Sequence, residues 1–127
     1  MAYRYYNPNP LLKSTSDCVI RALTKVLNSD WNTVFVSLCA QAFELKEMPS
    51  SNNVWRTFLV RHGFARYYIP YNLKCSYSVR EFCNDHPKGT FLLFVGEHVI
   101  AVIDGDYFDT FDSGNECPVF FWRWEGR

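Results

Sequence analysis

The sequence predicts an α+β fold in which N-terminal helices pack on a C-terminal antiparallel sheet. Apolar residues recur at helical spacing through the first half of the chain, whereas the last third consists of short β-rich runs divided by Gly-containing turns. The chain has 127 residues, of which 48% are hydrophobic, and this is enough for one real core. We therefore expect a single domain over residues 1–127.

Three helices are predicted before residue 64, and each begins behind a residue that can cap it. A fourth, short helix follows a capping-box pattern, in which Ser78 precedes Glu81 by three positions. Residues 1–13 contain two Asn-Pro dipeptides and predict an extended arm. The predicted bounds of the first three helices are Asp17 to about Asn28 behind Ser16 or Asp17, residues 31–45 behind Asp30, and residues 52–62 between Ser51 and Gly63.

The predicted strands are short apolar and aromatic runs bounded by turn residues. One lies in the middle of the chain and four lie in its last third. They are FARYYIP, GTFLLFV, HVIAVID, DYFDTFD and PVFFWRW.

Charge and cysteine content narrow the function classes. The 13 basic and 13 acidic residues give zero net charge, which argues against a nucleic-acid binder. The five cysteines are an odd number at spacings unlike those of a small disulfide scaffold. The first ten residues lack the apolar stretch of a secretory signal, and no apolar run is long enough to span a membrane. We expect a cytoplasmic protein with free thiols.

Cys18 stands where a thiolate would be stabilised. It is the first residue of the first predicted helix, behind a run of polar residues. A free thiol has a pKa of about 8.5, and the partial positive charge of a helix N-terminus favours its ionised form. The unpaired N–H groups of the first turn, including that of Cys18, can also bind an oxyanion. These observations predict a nucleophile.

A base and an orienting carboxylate follow on the predicted sheet. His98 begins one strand, and Asp109 and Asp112 lie on the next. An imidazole can take the thiol proton, and a carboxylate can fix its tautomer and orientation. Because the two aspartates are three residues apart, they point to opposite faces of a strand. We prefer Asp112, which precedes Ser-Gly at an expected strand end, and keep Asp109 as the alternative.

The segments DCVIRAL and GEHVIAVIDGDYFDTFDSGN resemble the papain-like cysteine peptidase superfamily, in a compact bacterial or phage form close to the bacteriocin leader peptidases. The resemblance implies a papain-like fold, with Cys18 as nucleophile, His98 as base and Asp112 as orienter. It further implies a peptide or protein substrate, no cofactor, and a place in the cytoplasm of a bacterium or of a phage-infected cell.

The oxyanion donor departs from the pattern of these enzymes, which often have a Gln about six residues before the Cys. Leu12 occupies that position here. Asn9, Asn7 or the hydroxyl of Ser14 could replace it from the arm, or the N–H of Cys18 could act alone.

Packing accounts for the other four cysteines, which are Cys39, Cys75, Cys83 and Cys117. Cys75, Cys83 and His86 are the sole zinc-ligand candidates, and since they lack a Cys-x-x-Cys pair we expect no metal.

The main hypothesis is a small cysteine hydrolase, a peptidase or isopeptidase that acts through a thioester. The alternative is a non-catalytic papain-like module that binds a protein, such as a phage inhibitor of a host system. A third possibility, disfavoured by the zero net charge, is nucleic-acid binding through Tyr3–Tyr6 and Arg66–Tyr68. In the hydrolase, specificity would come from the arm and from loops 46–53 and 70–78.

Overall fold

The computed structural model describes residues 2–13, 16–70 and 77–126. These residues form an α+β fold with four helices and one six-stranded sheet. The helices are α1 (Cys18–Val26), α2 (Trp31–Leu45), α3 (Asn52–Arg61) and α4 (Val79–Asp85). The strands are β1 (Tyr3–Tyr5), β2 (Phe64–Tyr68), β3 (Thr90–Val95), β4 (His98–Ile103), β5 (Asp106–Asp109) and β6 (Phe120–Trp124).

The sheet is mixed, and this corrects the expectation of a purely antiparallel one. Its strand order is β1-β5-β4-β3-β6-β2, and every pair is antiparallel except β1 with β5. The N-terminal arm, predicted to be merely extended, supplies β1. Because only three residues pair there, the segment carries too short a pattern to indicate a strand.

Helices cover both faces of the sheet, which therefore separates two hydrophobic cores. Leu92 and Phe94 of β3 pack with α1, α2 and α3, whereas Phe91 and Leu93 pack with α4. This alternation follows from the two-residue period of a strand. Since both faces are covered, the central strands β3 and β4 are apolar after their first residues, with four consecutive buried residues each.

The predicted helix caps largely form. Asp30 accepts a hydrogen bond from the N–H of Thr33, and Ser51 accepts one from Asn53. The capping box of α4 is complete, since Ser78 and Glu81 bond each other's backbone N–H. The sequence therefore predicts α2 with its observed bounds and α3 and α4 to within a residue or so.

A tight hairpin sets the start of β4. Gly96 has a φ of 60°, the left-handed backbone that a two-residue turn needs, and Glu97 completes the turn. The pairing of Val95 with His98 closes it, so His98 is the first residue of β4 at one end of the sheet. None of the helices in the described part of the chain is long and apolar enough to cross a membrane.

The central strands should dominate stability. Leu93 is 0% exposed in β3, whereas Leu11 is 73% exposed in the arm. We expect Leu93→Ala to lower the free energy of unfolding by about 2–5 kcal/mol, since it removes buried methyl groups and leaves a cavity. The same change at Leu11 should cost less than about 0.5 kcal/mol. Urea unfolding followed by tryptophan fluorescence measures both, and equal losses would contradict the assignment of the core.

Candidate active site

Cys18 lines a cleft of about 660 Å³ between the N-terminus of α1 and the start of β4. Helix α1 packs along β4, which brings its first turn to the end of the sheet where His98 stands. The thiol Sγ is 3.7 Å from the carbonyl oxygen of Glu97. The side chain of His98 and the backbone of Val99 lie close enough to the thiol to lower its pKa. The predicted approach of Cys18 and His98 is therefore present.

His98 is held from its other side by Asp109. The imidazole Nε2 lies 2.6 Å from Asp109 Oδ2, and the carboxyl side chain is 0% exposed. Since an ionised carboxylate accepts only, Nε2 carries the proton of this bond and Nδ1 is the ring nitrogen left for the thiol. Ser113 Oγ donates to the same carboxylate oxygen at 2.8 Å. The three groups form a continuous chain from thiol to carboxylate.

The structure corrects the preference for Asp112 as the partner of His98, since the kept alternative, Asp109, occupies that place. Strand β5 ends at Asp109, three residues before the end of the run that predicted it. Asp112 therefore lies in the following loop, with 49% of its side chain exposed. Its carboxylate contacts the Arg80 guanidinium at 3.2 Å, the Gly114 N–H at 3.0 Å and the Tyr107 hydroxyl.

A buried arginine joins the helix to the orienting carboxylate. The Arg21 side chain, 7% exposed, lies one turn after Cys18 on α1. Its guanidinium contacts Asp17 Oδ1 at 3.0 Å and Asp109 Oδ1 at 3.3 Å. Arg21 thus pairs with two acids, and its positive charge also lowers the pKa of Cys18.

The pKa values favour an ion pair between thiol and imidazole. Burial raises the pKa of Cys18, but the hydrogen bonds from His98 and Val99 outweigh it and bring the pKa below its ordinary value. The hydrogen bonds to Asp109 and Cys18 raise the pKa of His98 from 6.5 to about 9. Burial raises the pKa of Asp109, yet its bond to His98 leaves it below the usual range. These shifts favour an ion pair of thiolate and imidazolium beside an ionised carboxylate.

The first-turn amides of α1 are not capped by Asp17, although Asp17 is the N-cap residue as predicted. Its carboxylate is bound by Arg21 and by Trp31 Nε1 at 2.8 Å, and no cap hydrogen bond forms. Residues 17–20 line the cleft, so the start of α1 borders it. The Cys18 N–H therefore stays a candidate oxyanion donor.

The arm does not supply the expected oxyanion donor. Asn9 is buried in a turn, where its side-chain oxygen accepts a hydrogen bond from Leu11 N–H at 2.8 Å. Asn7 accepts one from Asn9 N–H, and neither asparagine is among the residues that line the cleft. Ser14 lies outside the described residues.

Apolar side chains form the wall of the cleft that faces α2 and α3. Leu38 and Trp55 are buried, and Trp55 is fixed by stacking on Phe94 with ring centroids 4.7 Å apart. Phe35 stands at the rim, 43% exposed and stacked on Trp31. Residues 49 and 50 of the 46–53 loop complete this wall. Residues 71–76 of the other predicted specificity loop are outside the described chain.

The opposite wall consists of His98, Thr110 and Phe111. The ring of Phe111 stacks on the imidazole with centroids 5.3 Å apart and is itself 48% exposed. It covers one face of His98, so the imidazole reaches the cleft mainly by its edge. No sequence signal distinguishes this phenylalanine from the other ten of the chain.

The remaining candidates lie apart from the cleft. Cys83 is a buried residue of α4, where burial raises its pKa to about 11. Cys39 and Cys117 are partly buried, neither lines the cleft, and Cys75 lies outside the described residues. Within the described ranges there is no group of three or more side chains able to hold a metal ion.

The two segments proposed for nucleic-acid binding lie at opposite edges of the sheet. Strand β1 carries Tyr3, Arg4 and Tyr5, whereas Arg66–Tyr68 belong to β2. The Arg66 guanidinium is occupied, since it lies 5.2 Å from the ring centroid of Tyr68. The two segments therefore do not form one continuous surface.

Comparison of the chain with protein-family models, with curated proteins and with solved structures finds no match.

The carboxylate that sets the state of His98 can be identified by titration. We expect a pKa near 9 for His98 by NMR, and Asp109→Asn should lower it by about one unit or more because the charged partner is lost. Asp112→Asn, the matched change, should leave it unaltered. Because the folded-state pKa is raised, the stabilisation from His98 is complete below pH 6.5 and is lost as the pH rises through about 9. A larger response to Asp112→Asn would contradict the assignment.

Proposed function

We propose that the protein is a small cysteine hydrolase that cleaves a peptide or isopeptide bond through a thioester on Cys18. The observation that carries the proposal is the series Cys18, His98 and Asp109, with 2.6 Å between His98 Nε2 and Asp109 Oδ2 and with Cys18 and His98 lining a cleft. Geometry of this kind serves nucleophilic catalysis, since base, nucleophile and orienter are each within reach of the next.

The reaction follows from the charges of the site. The Cys18 thiolate attacks the substrate carbonyl carbon. The oxyanion that forms accepts a hydrogen bond from the Cys18 N–H at the start of α1. The His98 imidazolium then gives its proton to the departing amine, and the carbon–nitrogen bond breaks to leave a thioester. Neutral His98 next removes a proton from water, hydroxide adds to the thioester, and the acid leaves with the thiolate restored. Asp109 keeps the imidazole oriented throughout.

Three further features support this proposal. The resemblance of the Cys18 and His98 segments to papain-like peptidases implies the same chemistry. The described cysteines Cys18, Cys39, Cys83 and Cys117 are free thiols, which suits the reducing cytoplasm of a bacterial or phage-infected cell. The cleft is an open groove lined mainly by neutral side chains, and such a groove suits a peptide segment.

Selective alkylation tests the nucleophile. With limiting iodoacetamide at pH 6–7, we expect Cys18 to react at least tenfold faster than the other cysteines, because among the four described cysteines only Cys18 lies beside an imidazole of raised pKa. His98→Ala should slow the alkylation of Cys18 to the rate of the other cysteines. In wild type, the alkylation rate of Cys18 should stay high well below the pH at which an ordinary thiol ionises, as it does for a thiolate–imidazolium pair. Peptide mass spectrometry locates the label.

Peptide hydrolysis completes the test of the proposal. Wild type should release peptides from a denatured-protein or peptide-library substrate, whereas Cys18→Ser should be inactive with an unchanged melting temperature. Slow labelling that is uniform over the cysteines and unaffected by His98→Ala would overturn the hydrolase. The non-catalytic protein-binding module would then take its place.

The apolar wall should select the substrate side chain on the acyl side. Since the leaving amine takes its proton from His98, the leaving side lies along the His98 wall, and the acyl side faces Leu38 and Trp55. We expect peptidyl chloromethyl ketones with Leu or Phe next to the reactive carbon to label Cys18 at least tenfold faster than those with Asp or Gly. Phe35→Ala should lower severalfold the ratio of the labelling rates with the Leu or Phe reagents to those with the Asp or Gly reagents.

Phe43→Ala is the matched control for that experiment. Phe43 lies on the same helix and is 76% exposed, outside the cleft. Its loss should leave the ratio unchanged, and iodoacetamide, which has no side chain, should label both variants like wild type. A ratio that responds equally to both substitutions would contradict the placement of the acyl side.

A further inference from the structure

The charged groups around the cleft form a closed sequence of alternating sign. Asp17 pairs with Arg21, Arg21 pairs with Asp109, Asp109 binds His98, and His98 binds Cys18. The two ends of this sequence, Asp17 and Cys18, are neighbours in the chain, so the groups make a ring that closes through one peptide bond. Asp17 and Arg21 are the two members that no step of the hydrolysis uses, and of these two Arg21 is the one that contacts Asp109.

We propose that Arg21 is a positioning residue that clamps Asp109, and through it His98, against the helix that bears Cys18. The role of this clamp in catalysis rests on the proposed function, whereas the contacts that form the clamp are observed in the structure. Arg21 is on α1, Asp109 ends β5 and His98 begins β4, so the clamp spans three elements.

The shape of the guanidinium suits this task. One terminal nitrogen reaches Asp17 at 3.0 Å and the other reaches Asp109 at 3.3 Å, so the planar fork sets the distance between the two carboxylates. The three side chains are at most 7% exposed. Trp31 Nε1 holds the second oxygen of Asp17 at 2.8 Å and so fixes the far end of the clamp.

The Asp109 carboxylate uses each oxygen for a different purpose. Oδ2 accepts from His98 Nε2 and from Ser113 Oγ, whereas Oδ1 accepts from Arg21 and from Thr110 N–H at 2.8 Å. Arg21 and Thr110 thereby fix the rotation of the carboxylate plane. With Oδ1 held, Oδ2 is presented to the imidazole in one orientation.

If Arg21 is a clamp, removing it should lower the pKa of His98, whereas if Arg21 is only a nearby positive charge, removing it should raise that pKa. The titratable or charged groups facing His98 are Cys18 from α1, Asp109 from β5 and the adjacent Glu97 of the hairpin turn, with Arg21 behind Asp109. If Arg21 acted on His98 only as a positive charge, its removal would make the imidazole easier to protonate. If it positions Asp109, its removal loosens the carboxylate and makes the imidazole harder to protonate.

The test is an NMR pH titration of His98 in wild type, Arg21→Met and Arg21→Lys. We expect the His98 pKa to fall by about one unit or more in Arg21→Met, a tenfold change in the protonation equilibrium. Arg21→Lys should lie between the other two, because one ammonium keeps the charge but cannot span two carboxylates as a fork. Alkylation of Cys18 at pH 6 should fall in the same order, by about tenfold in Arg21→Met.

Arg80→Met is the matched control, since Arg80 pairs with Asp112, whereas the carboxylate bound to His98 is that of Asp109. It should leave both the titration and the alkylation rate as in wild type. A His98 pKa that rises or stays unchanged in a folded Arg21 variant overturns the proposal. If Arg21→Met does not fold, the same criterion applies to Arg21→Lys: a fall in the His98 pKa supports the clamp, and a rise or no change overturns it.

Failure of the clamp and failure of the hydrolase are distinguishable. The titration follows the imidazole alone and needs neither substrate nor a reactive thiol. An unreactive Cys18 in wild type would overturn the hydrolase and leave the titration of the Arg21 variants to be judged separately. A reactive Cys18 with an unchanged titration in those variants would overturn the clamp only.

Discussion

The site depends on the burial of one carboxylate. Asp109 is 0% exposed, and taking an ionised carboxylate out of water costs several kcal/mol unless its oxygens find partners. Four donors compensate: the imidazole of His98, the guanidinium of Arg21, the hydroxyl of Ser113 and the N–H of Thr110. Because these partners come from α1, β4 and the loop after β5, satisfying one charge fixes the relative positions of three segments.

The same requirement explains why the thiol lies beside the imidazole at this point of the fold. The helix that supplies Arg21 to Asp109 begins three residues earlier at Cys18, so docking Arg21 also docks the thiol. The strand that supplies His98 begins directly after a two-residue turn, so the imidazole stands at the end of the sheet beside that helix N-terminus. The approach of Cys18 to His98 is thus a consequence of how Asp109 is buried.

Much of this arrangement can be predicted from the sequence because it depends on interactions between residues that are close together in the chain. The caps Asp30, Ser51 and Ser78 fix the starts of α2, α3 and α4, since each is satisfied within its own first turn. Cys18 and His98 are found from position alone, one at a helix start and the other at a strand start. The Asp17–Arg21 pair also has a signal, because residues four apart share a helix face.

What the sequence does not predict depends on register and on distant pairing. Asp109 and Asp112 carry the same carboxylate, so their chemistry does not show which of them binds His98. The difference arises because β5 ends at Asp109, and the aromatic run DYFDTFD does not indicate that end. Ser113 reaches Asp109 only because the chain turns back after the strand. The mixed character of the sheet is equally hidden, since β1 lies about a hundred residues from its partner β5.

The N-terminal arm contributes to the site in a different way from the one its asparagines suggested. Tyr5 pairs with Asp109 in parallel register, and the N–H of Tyr6 donates to the Asp109 carbonyl at 2.9 Å. The hydroxyl of Tyr3 reaches the same carbonyl at 3.3 Å. Side-chain bonds fix the carboxylate, and the arm fixes the backbone that carries it. A residue that must hold an imidazole in one orientation needs both, because a carboxylate at the frayed end of an edge strand would move with the strand. By covering the edge of β5, the arm makes its last residue a rigid support.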